Sequence, residues 1–286
     1  MNPSAARIHA PGADLTDIPP EIFACILAVL KRLRNFNLDI YKEKCIKRRI
    51  AIRIRKSGCS SAAEYGEFLS RDEKELDNLI RVLTVHVSQF FRNPSMFLKL
   101  KEEVIPYLFR REHRDREERP VIWSVGCAGG EEPYSVAMLL EEYLAGHPSS
   151  MGADILATDI DAEILDTAHK GVYCAERLRE VPVEVRNRWF TPENGKFTLA
   201  QEIRDMVTFR RSDLYETAAY PECSLILCRN VLIYLDRKHQ EKILNGFADA
   251  LGSGGILVLG KAETLVGESR GRYRTICPVE RIYRVA

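Results

Sequence analysis

The chain lacks a long apolar run. Nothing in its 286 residues approaches the roughly 18 to 20 needed to cross a bilayer, and residues 1–20 have no apolar core of the kind a signal peptide carries. A C-x-x-C pair is missing too. The eight cysteines, at positions 25, 45, 59, 127, 174, 223, 228 and 277, are scattered. In a chain this long that excludes a disulfide framework and a zinc site. They read as reduced thiols, and the expected location is the cytoplasm. There is no surplus of one charge, since Lys and Arg number 42 against 41 Asp and Glu, which argues against a whole-protein polyanion binder. What is present suffices for a substantial core and for two domains.

Residues 121–145, VIWSVGCAGGEEPYSVAMLLEEYLA, organise the rest. The β-favouring Val121, Ile122, Trp123 and Val125 stop at Gly126. An amphipathic helix opens after Gly129 and Gly130, with Pro133 in its first turn, where a missing N–H costs nothing. A strand, a glycine loop and a helix make the opening unit of a nucleotide-binding α/β sheet, whose ligands sit at the carboxyl ends of the strands. The loop has neither the Lys-Ser/Thr ending of a P-loop nor the spacing G-x-G-x-x-G. Glu131 and Glu132 stand where a diphosphate needs bare N–H groups, and they would repel it. A carboxylate here suits a cationic ligand or one rich in hydroxyl and amino groups, and S-adenosylmethionine has all three. An ordinary βα turn, with Glu favoured by the helix dipole, accounts for the same residues. Cys127 lies in the loop, but no His is near in sequence to activate it as a nucleophile.

Before this unit the periodicity predicts a helix from Pro19 or Pro20, carrying Ile22, Phe23, Ile26, Leu27, Leu30 and Leu33, and a second over 40–56. The second has a narrow apolar stripe, Ile46, Ile50 and Ile54. Around it lie Lys42, Lys44, Lys47, Arg48, Arg49, Arg53, Arg55 and Lys56, against only Glu43. Like charge so crowded costs helix stability, so an acidic helix or nucleic acid is a plausible partner; a solvated face balanced by the acidic helices that follow is the plainer alternative. Capping boxes at Ser61 with Glu64 and at Ser70 with Glu73 predict two more helices. The helical domain is expected over 18–85. Asn93-Pro94 reads as an N-cap and first helical position, opening a helix with Met96, Phe97, Leu100, Val104 and Ile105.

After the opening unit, further strands are expected over 153–158, 207–211, 224–228 and 255–260, with helices over 162–170 and 237–251. The segment 273–276 should pair antiparallel with 282–285. Asp159 ends the second strand, where an acidic residue can accept from both ribose hydroxyls; Asp161 is placed to cap the next helix instead. Residues 171–206 interrupt the alternation and read as an inserted β-subdomain, with a hairpin turn at Asn194-Gly195. This describes an α/β fold, a class I (Rossmann-like) methyltransferase domain over 86–286, preceded by an all-α domain.

Taken together, SQFFR (88–92), WSVGCAGGEEPYS (123–135), ATDID (157–161) and CRNVLIYLD (228–236) resemble the CheR-type chemotaxis-receptor glutamate methyltransferases, in that family's order and over about residues 20–286. Two departures stand out. Gly129 takes the place of the family's usual Thr, and the inserted hairpin is short, whereas in enterobacterial relatives a longer one docks a receptor's C-terminal pentapeptide. The resemblance implies S-adenosyl-L-methionine as donor, S-adenosyl-L-homocysteine as product, and donor contacts from His86, Ser88, Arg92, Glu131, Asp159, Asp213, Leu214, Arg229 and Asn230. His86, Ser88 and Arg92 would close over the donor, Glu131 would face its amino group, and Asp159 its ribose. Asp213 and Leu214 fit adenine, and Arg229 and Asn230 the methionyl part. Arg92 and Tyr234 are the implied catalytic contacts, Tyr234 near the methyl group.

The resemblance further implies an acidic coiled-coil receptor region as partner, met by the basic helix 40–56, with no nucleic-acid partner and no membrane insertion; a monomer is expected. A glutamate carboxylate is ionised at pH 7 and is itself the nucleophile, so no general base, metal cluster or triad is needed. A nucleic-acid methyltransferase would use the basic helix on phosphate, but amino-methylating DNA enzymes carry a D/N-P-P-Y/F-type turn to hold a flipped base, and here the turn is Arg229-Asn230-Val231. A non-catalytic donor-binding signalling module would present the same binding residues.

Overall fold

The computed structural model describes residues 18–34, 36, 38, 41–84, 88–110, 119–148 and 150–286. They fall into two compact units, Met1–Val85 and His86–Ala286. The first contains α1 (Pro20–Arg34), α2 (Glu43–Ser57), α3 (Ala62–Leu69) and α4 (Glu73–Thr84). Its core is the set of apolar stripes the periodicity marks, among them Ile26, Leu30, Ile46, Ile50, Ile54, Leu76 and Leu79, all buried.

Three details of this unit differ from expectation. Helix α2 starts at Glu43, and Ile40 lies outside the described residues. The capping box at Ser70 does not form: Ser70 Oγ donates to the Glu67 carbonyl and so closes α3, while Asp72 Oδ1 accepts the Glu75 N–H at 2.7 Å and caps α4. Aspartate and serine cap about equally well, and Asp72 sits three residues before a glutamate as Ser70 does, so packing decides between them. The charge on α2 is also less crowded than the sequence suggests. Arg53 makes two bonds to the buried Glu75 carboxylate, at 2.9 and 2.5 Å, and Arg49 is buried against the Leu83 carbonyl. Lys47 pairs with Glu43 at 2.8 Å. Lys42, Lys44, Arg48, Arg55 and Lys56 remain exposed.

In the second unit, α5 (Pro94–Lys99) runs through a π turn (Leu100–Val104) into α6 (Ile105–Leu108). Pro106 has no N–H to return to the preceding turn, and the ladder widens just before it. Then follow β1 (Val121–Val125), α7 (Glu131–Gly146), β2 (Asp154–Asp159), α8 (Ala162–Lys170), β3 (Val172–Cys174), α9 (Val183–Trp189), β4 (Phe190–Glu193), β5 (Lys196–Leu199), α10 (Gln201–Arg204), β6 (Val207–Arg211), β7 (Leu225–Cys228), α11 (Arg237–Leu251), β8 (Ile256–Leu259), β9 (Tyr273–Cys277) and β10 (Ile282–Val285).

The main sheet has the order β6-β2-β1-β7-β8-β10-β9. Its first five strands are parallel and the closing hairpin is antiparallel. Strands β7 and β8 are buried along their whole length, as parallel strands covered on both faces must be. The chain leaves β1 toward β2 and β6, then returns on the other side as β7, so the order reverses between β1 and β7. Register aligns the carboxyl ends, with Val125 opposite both Thr158 and Cys228, and Cys228 opposite Leu259. Gly126, Asp159, Arg229 and Gly260 therefore emerge along one edge. The insert is a separate antiparallel sheet, β3-β5-β4, turned at Asn194 and Gly195, both with positive φ. Strand β3 has only three residues, too short to show a period. Among the described residues no helix is long and apolar enough to cross a membrane.

Candidate functional site

The glycine loop between β1 and α7 needs its glycines for space. At Gly126, φ is +64°, and a Cβ would stand 2.5 Å from the Val231 side chain. At Gly130, φ is +85°, and a Cβ would meet Tyr134, Ala168 and Phe209 at 2.9 to 3.1 Å. The loop is clasped from three directions. The Cys127 N–H reaches the Thr158 carbonyl at 3.0 Å, the Ala128 N–H donates to Asp159 Oδ2 at 2.9 Å, and the Tyr173 hydroxyl donates to the Gly129 carbonyl at 2.7 Å. Burial pushes the Cys127 thiol up, aided by the nearby carboxylates, which disfavours the thiolate that a nucleophile needs.

The two glutamates that open α7 have separate partners. Glu131 is 2 % exposed. Its Oε1 pairs with Arg177 at 3.1 Å, and its buried Oε2 has no partner. Burial pushes this carboxyl up, while Arg177, backbone N–H groups and the Ser88 hydroxyl pull it down. Glu132 accepts from Ser124 at 2.8 Å and from Arg229 at 3.0 Å. Asp159 accepts from Ala128 through Oδ2 and from the Asp161 N–H, at 3.1 Å, through Oδ1. Asp161 caps α8 through the N–H groups of Glu163 and Ile164.

Arg229 is buried and heavily engaged. Besides Glu132, its Nη2 donates to the Arg92 carbonyl and to Asn93 Oδ1, each at 2.7 Å, while Nε has no partner. It ties the end of β7 to α7 and to residues 92–93. Asn93 thus gives its side chain to Arg229 and makes no cap bond to α5. Asn230 has φ +63°, and Tyr234 follows in the short 3-10 turn Leu232–Tyr234, half-buried. Beyond β6, Asp213 Oδ1 accepts the Tyr215 N–H at 2.9 Å, and the Leu214 carbonyl accepts from Tyr220, whose ring packs on Trp123. Ser88 and Arg92 bracket Phe90 and Phe91; the Phe91 N–H is held by Ser135 Oγ at 3.0 Å. His86 lies outside the described residues. Ser88, Arg92, Glu131, Asp159, Arg229, Asn230 and Tyr234 are thus on or hydrogen-bonded into one edge of the sheet, with Asp213 and Leu214 following neighbouring β6.

Sequence reasoning missed Glu263 and Arg177. Glu263 is buried past the end of β8, and its oxygens accept from the N–H groups of Gly260, Asn230, Val231 and Ile233 at 2.7, 2.9, 2.9 and 3.3 Å. It fixes the whole turn after β7. Burial raises this carboxyl, and those N–H groups oppose the shift. Nothing local marks it, because three of its four partners are 30 to 33 residues away; a Glu three residues after Gly260 is the one available hint.

The arrangement fits S-adenosylmethionine. One buried carboxylate oxygen of Glu131 has no hydrogen-bond partner, and Asp159, at the end of β2, holds its carboxylate against the glycine loop. Among the described residues, no group of three or more His, Cys, Asp or Glu side chains is placed to hold a metal ion.

Comparison with known proteins gives two family matches. Residues 86–279 match the family described as CheR methyltransferase, SAM binding domain, and residues 21–84 match the CheR methyltransferase all-alpha domain. A chemotaxis protein methyltransferase of Listeria innocua is 34% identical over 238 residues, 83% of this chain and 88% of that protein. Chemotaxis protein methyltransferase 2 of Pseudomonas aeruginosa is 34% identical over 256 residues, 87% and 88% of the two chains. The corresponding Borreliella burgdorferi protein is 30% identical, over 84% and 87%.

Proposed function

Because the chain belongs to the CheR methyltransferase family and carries its S-adenosylmethionine-binding domain, we propose that it methylates glutamate side chains in the acidic coiled-coil region of chemoreceptors, forming methyl esters. The observation that supports this most is Glu131, a buried carboxylate at the head of α7 with one oxygen left for a ligand.

In this reading Glu131 receives the donor's ammonium and Asp159 its ribose hydroxyls. Asp213 and Leu214 flank the adenine. His86, Ser88 and Arg92 come from the strip before α5, and Arg92 meets the donor's or the substrate's carboxylate. Arg229 and Asn230 lie beneath the methionyl part, and Tyr234 stands near the reacting methyl. When bound, the donor supplies a methyl carbon on a sulfonium sulfur that departs as a neutral thioether. The substrate glutamate is already ionised at neutral pH, so the chain's residues need only align its oxygen and strip part of its water, effects able to supply several kcal/mol. Lys44, Arg48 and Arg55, exposed on α2, with Lys47 beside them, supply the surface for an acidic helix.

Incubation with methyl-labelled donor and cytoplasmic receptor fragments tests the reading. Base-labile label on receptor glutamates is the expected outcome. Label carried on nucleic acid, resistant to protease and lost to nuclease, would refute it.

A further inference from the structure

The insert, residues 171–206, has no part in the chemistry above, yet its first turn reaches the donor site. Arg177 Nη1 lies 3.1 Å from Glu131 Oε1 and also donates to the Ser88 carbonyl. The Arg177 carbonyl accepts the Phe90 N–H at 3.0 Å. Four residues earlier, Tyr173 holds the Gly129 carbonyl at 2.7 Å and meets Phe90 edge-on at 4.8 Å. Phe190 meets the same ring at 5.1 Å. One turn of the insert therefore grips the glycine loop and the strip that carries Ser88 and Arg92.

We propose that Arg177 is a positioning residue of the donor site: it fixes one oxygen of Glu131 so that the other, Oε2, is presented to a ligand's ammonium, and it latches the 88–92 strip to the glycine loop. The inference rests on the donor-binding reading above. Geometry makes the case. A carboxylate this deep is shut off from bulk solvent, and a guanidinium that also holds the Ser88 carbonyl fixes it at one angle. Charge supports it. The groups around Glu131 are Glu132 and Ser135 on its own helix, Cys127 and Gly129 in the loop, Ser88 from the strip, and Tyr173 and Arg177 from the insert. Burial favours the protonated acid, and the Arg177 guanidinium is what opposes it most. Protonated Glu131 cannot pair with an ammonium.

The test is calorimetric binding of S-adenosyl-L-homocysteine by the full chain between about pH 6 and 8, a range set by ordinary ligand and side-chain titrations. Arg177→Met should bind about tenfold more weakly at pH 7, and the pH below which affinity falls should lie higher than in wild type. Arg179→Met, an exposed neighbour paired only loosely with Glu180 at 3.8 Å, should match wild type. In a Glu131→Gln background Arg177→Met should add only the share carried by its hold on the Ser88 carbonyl, about threefold or less, because the rest acts through Glu131. Arg177→Lys keeps the charge without the fork; it should retain the wild-type pH profile at an affinity a few-fold lower, and it bears the test if Arg177→Met shows no thermal transition. An equal loss at every pH, or a full loss in the Glu131→Gln background, overturns the proposal and leaves Arg177 a merely structural support. Wild type that binds no S-adenosyl-L-homocysteine overturns the donor reading itself.

Discussion

The glycine loop and helix α2 both gather charge, and they hold it in opposite ways. Around the loop, Glu131, Glu132, Asp159, Arg229 and Glu263 are buried or nearly so, and each is fixed by named donors or acceptors. On α2 the residues with inward partners, Arg49 and Arg53, belong to the fold, whereas Lys44, Arg48 and Arg55 lie in solvent. Buried charge in low dielectric is strong and little screened by salt, and it costs much if its partner is lost. Exposed charge acts mainly on encounter rate and is screened over about 8 Å at physiological ionic strength. In the proposed reading the two regions take different tasks, holding a small zwitterion and steering a large acidic partner.

The largest expected effect is at Glu263. Glu263→Ala leaves four N–H groups without their acceptor, and urea unfolding should show a loss of about 3 kcal/mol. A loss under about 1 kcal/mol would mean that water replaces the carboxylate and that the turn is not held from within.

Glu131→Gln should come next, with donor affinity down by about 2 kcal/mol, the range for a bond to a charged group. Its pH dependence has a definite sign. A carboxyl raised above its ordinary 4.5 binds more protons folded than unfolded, so its contribution to ligand-free stability is full below that value and is lost as pH rises through the folded pKa. Affinity for the donor's ammonium rises through the same window. Melting and calorimetry should therefore move in opposite directions with pH in wild type, and Glu131→Gln should flatten the affinity profile and lessen the slope of melting, to which the raised Glu263 carboxyl also contributes. Parallel movement would remove Glu131 from the site.

Asp159→Ala should cost at least about 1 kcal/mol of donor affinity; unchanged affinity would leave Asp159 only its role of holding Ala128. The smallest effect belongs to α2. Charge reversal at Arg48 and Arg55 should raise the apparent KM for receptor a few-fold at low salt, with donor affinity and Tm nearly constant. A lower Tm would make those residues part of the fold, and unchanged kinetics would make the helix a solvated face.

Much of this was legible in the sequence because it is local. Val121, Ile122, Trp123 and Val125 followed by glycines mark β1 and its loop, and Asp161 and Gly171 punctuate α8 at both ends. Long-range partners carry no such mark. Arg177 reads as one arginine among many until the insert folds back 46 residues onto Glu131. Glu263 gains its role only when β8 lies beside β7. Ser70 and Asp72 show the limit within one turn, since both stand three residues before a glutamate and packing decides which caps.

The most direct measurement is the salt dependence of both steps in wild-type protein. Receptor methylation kinetics and S-adenosyl-L-homocysteine affinity would be followed from about 50 to 300 mM salt, across which screening shortens by roughly half. The expected result is an apparent receptor KM that climbs with salt while donor affinity stays flat. Donor affinity that weakens in step with the receptor KM, or a receptor KM that does not move, contradicts the division between buried and exposed charge.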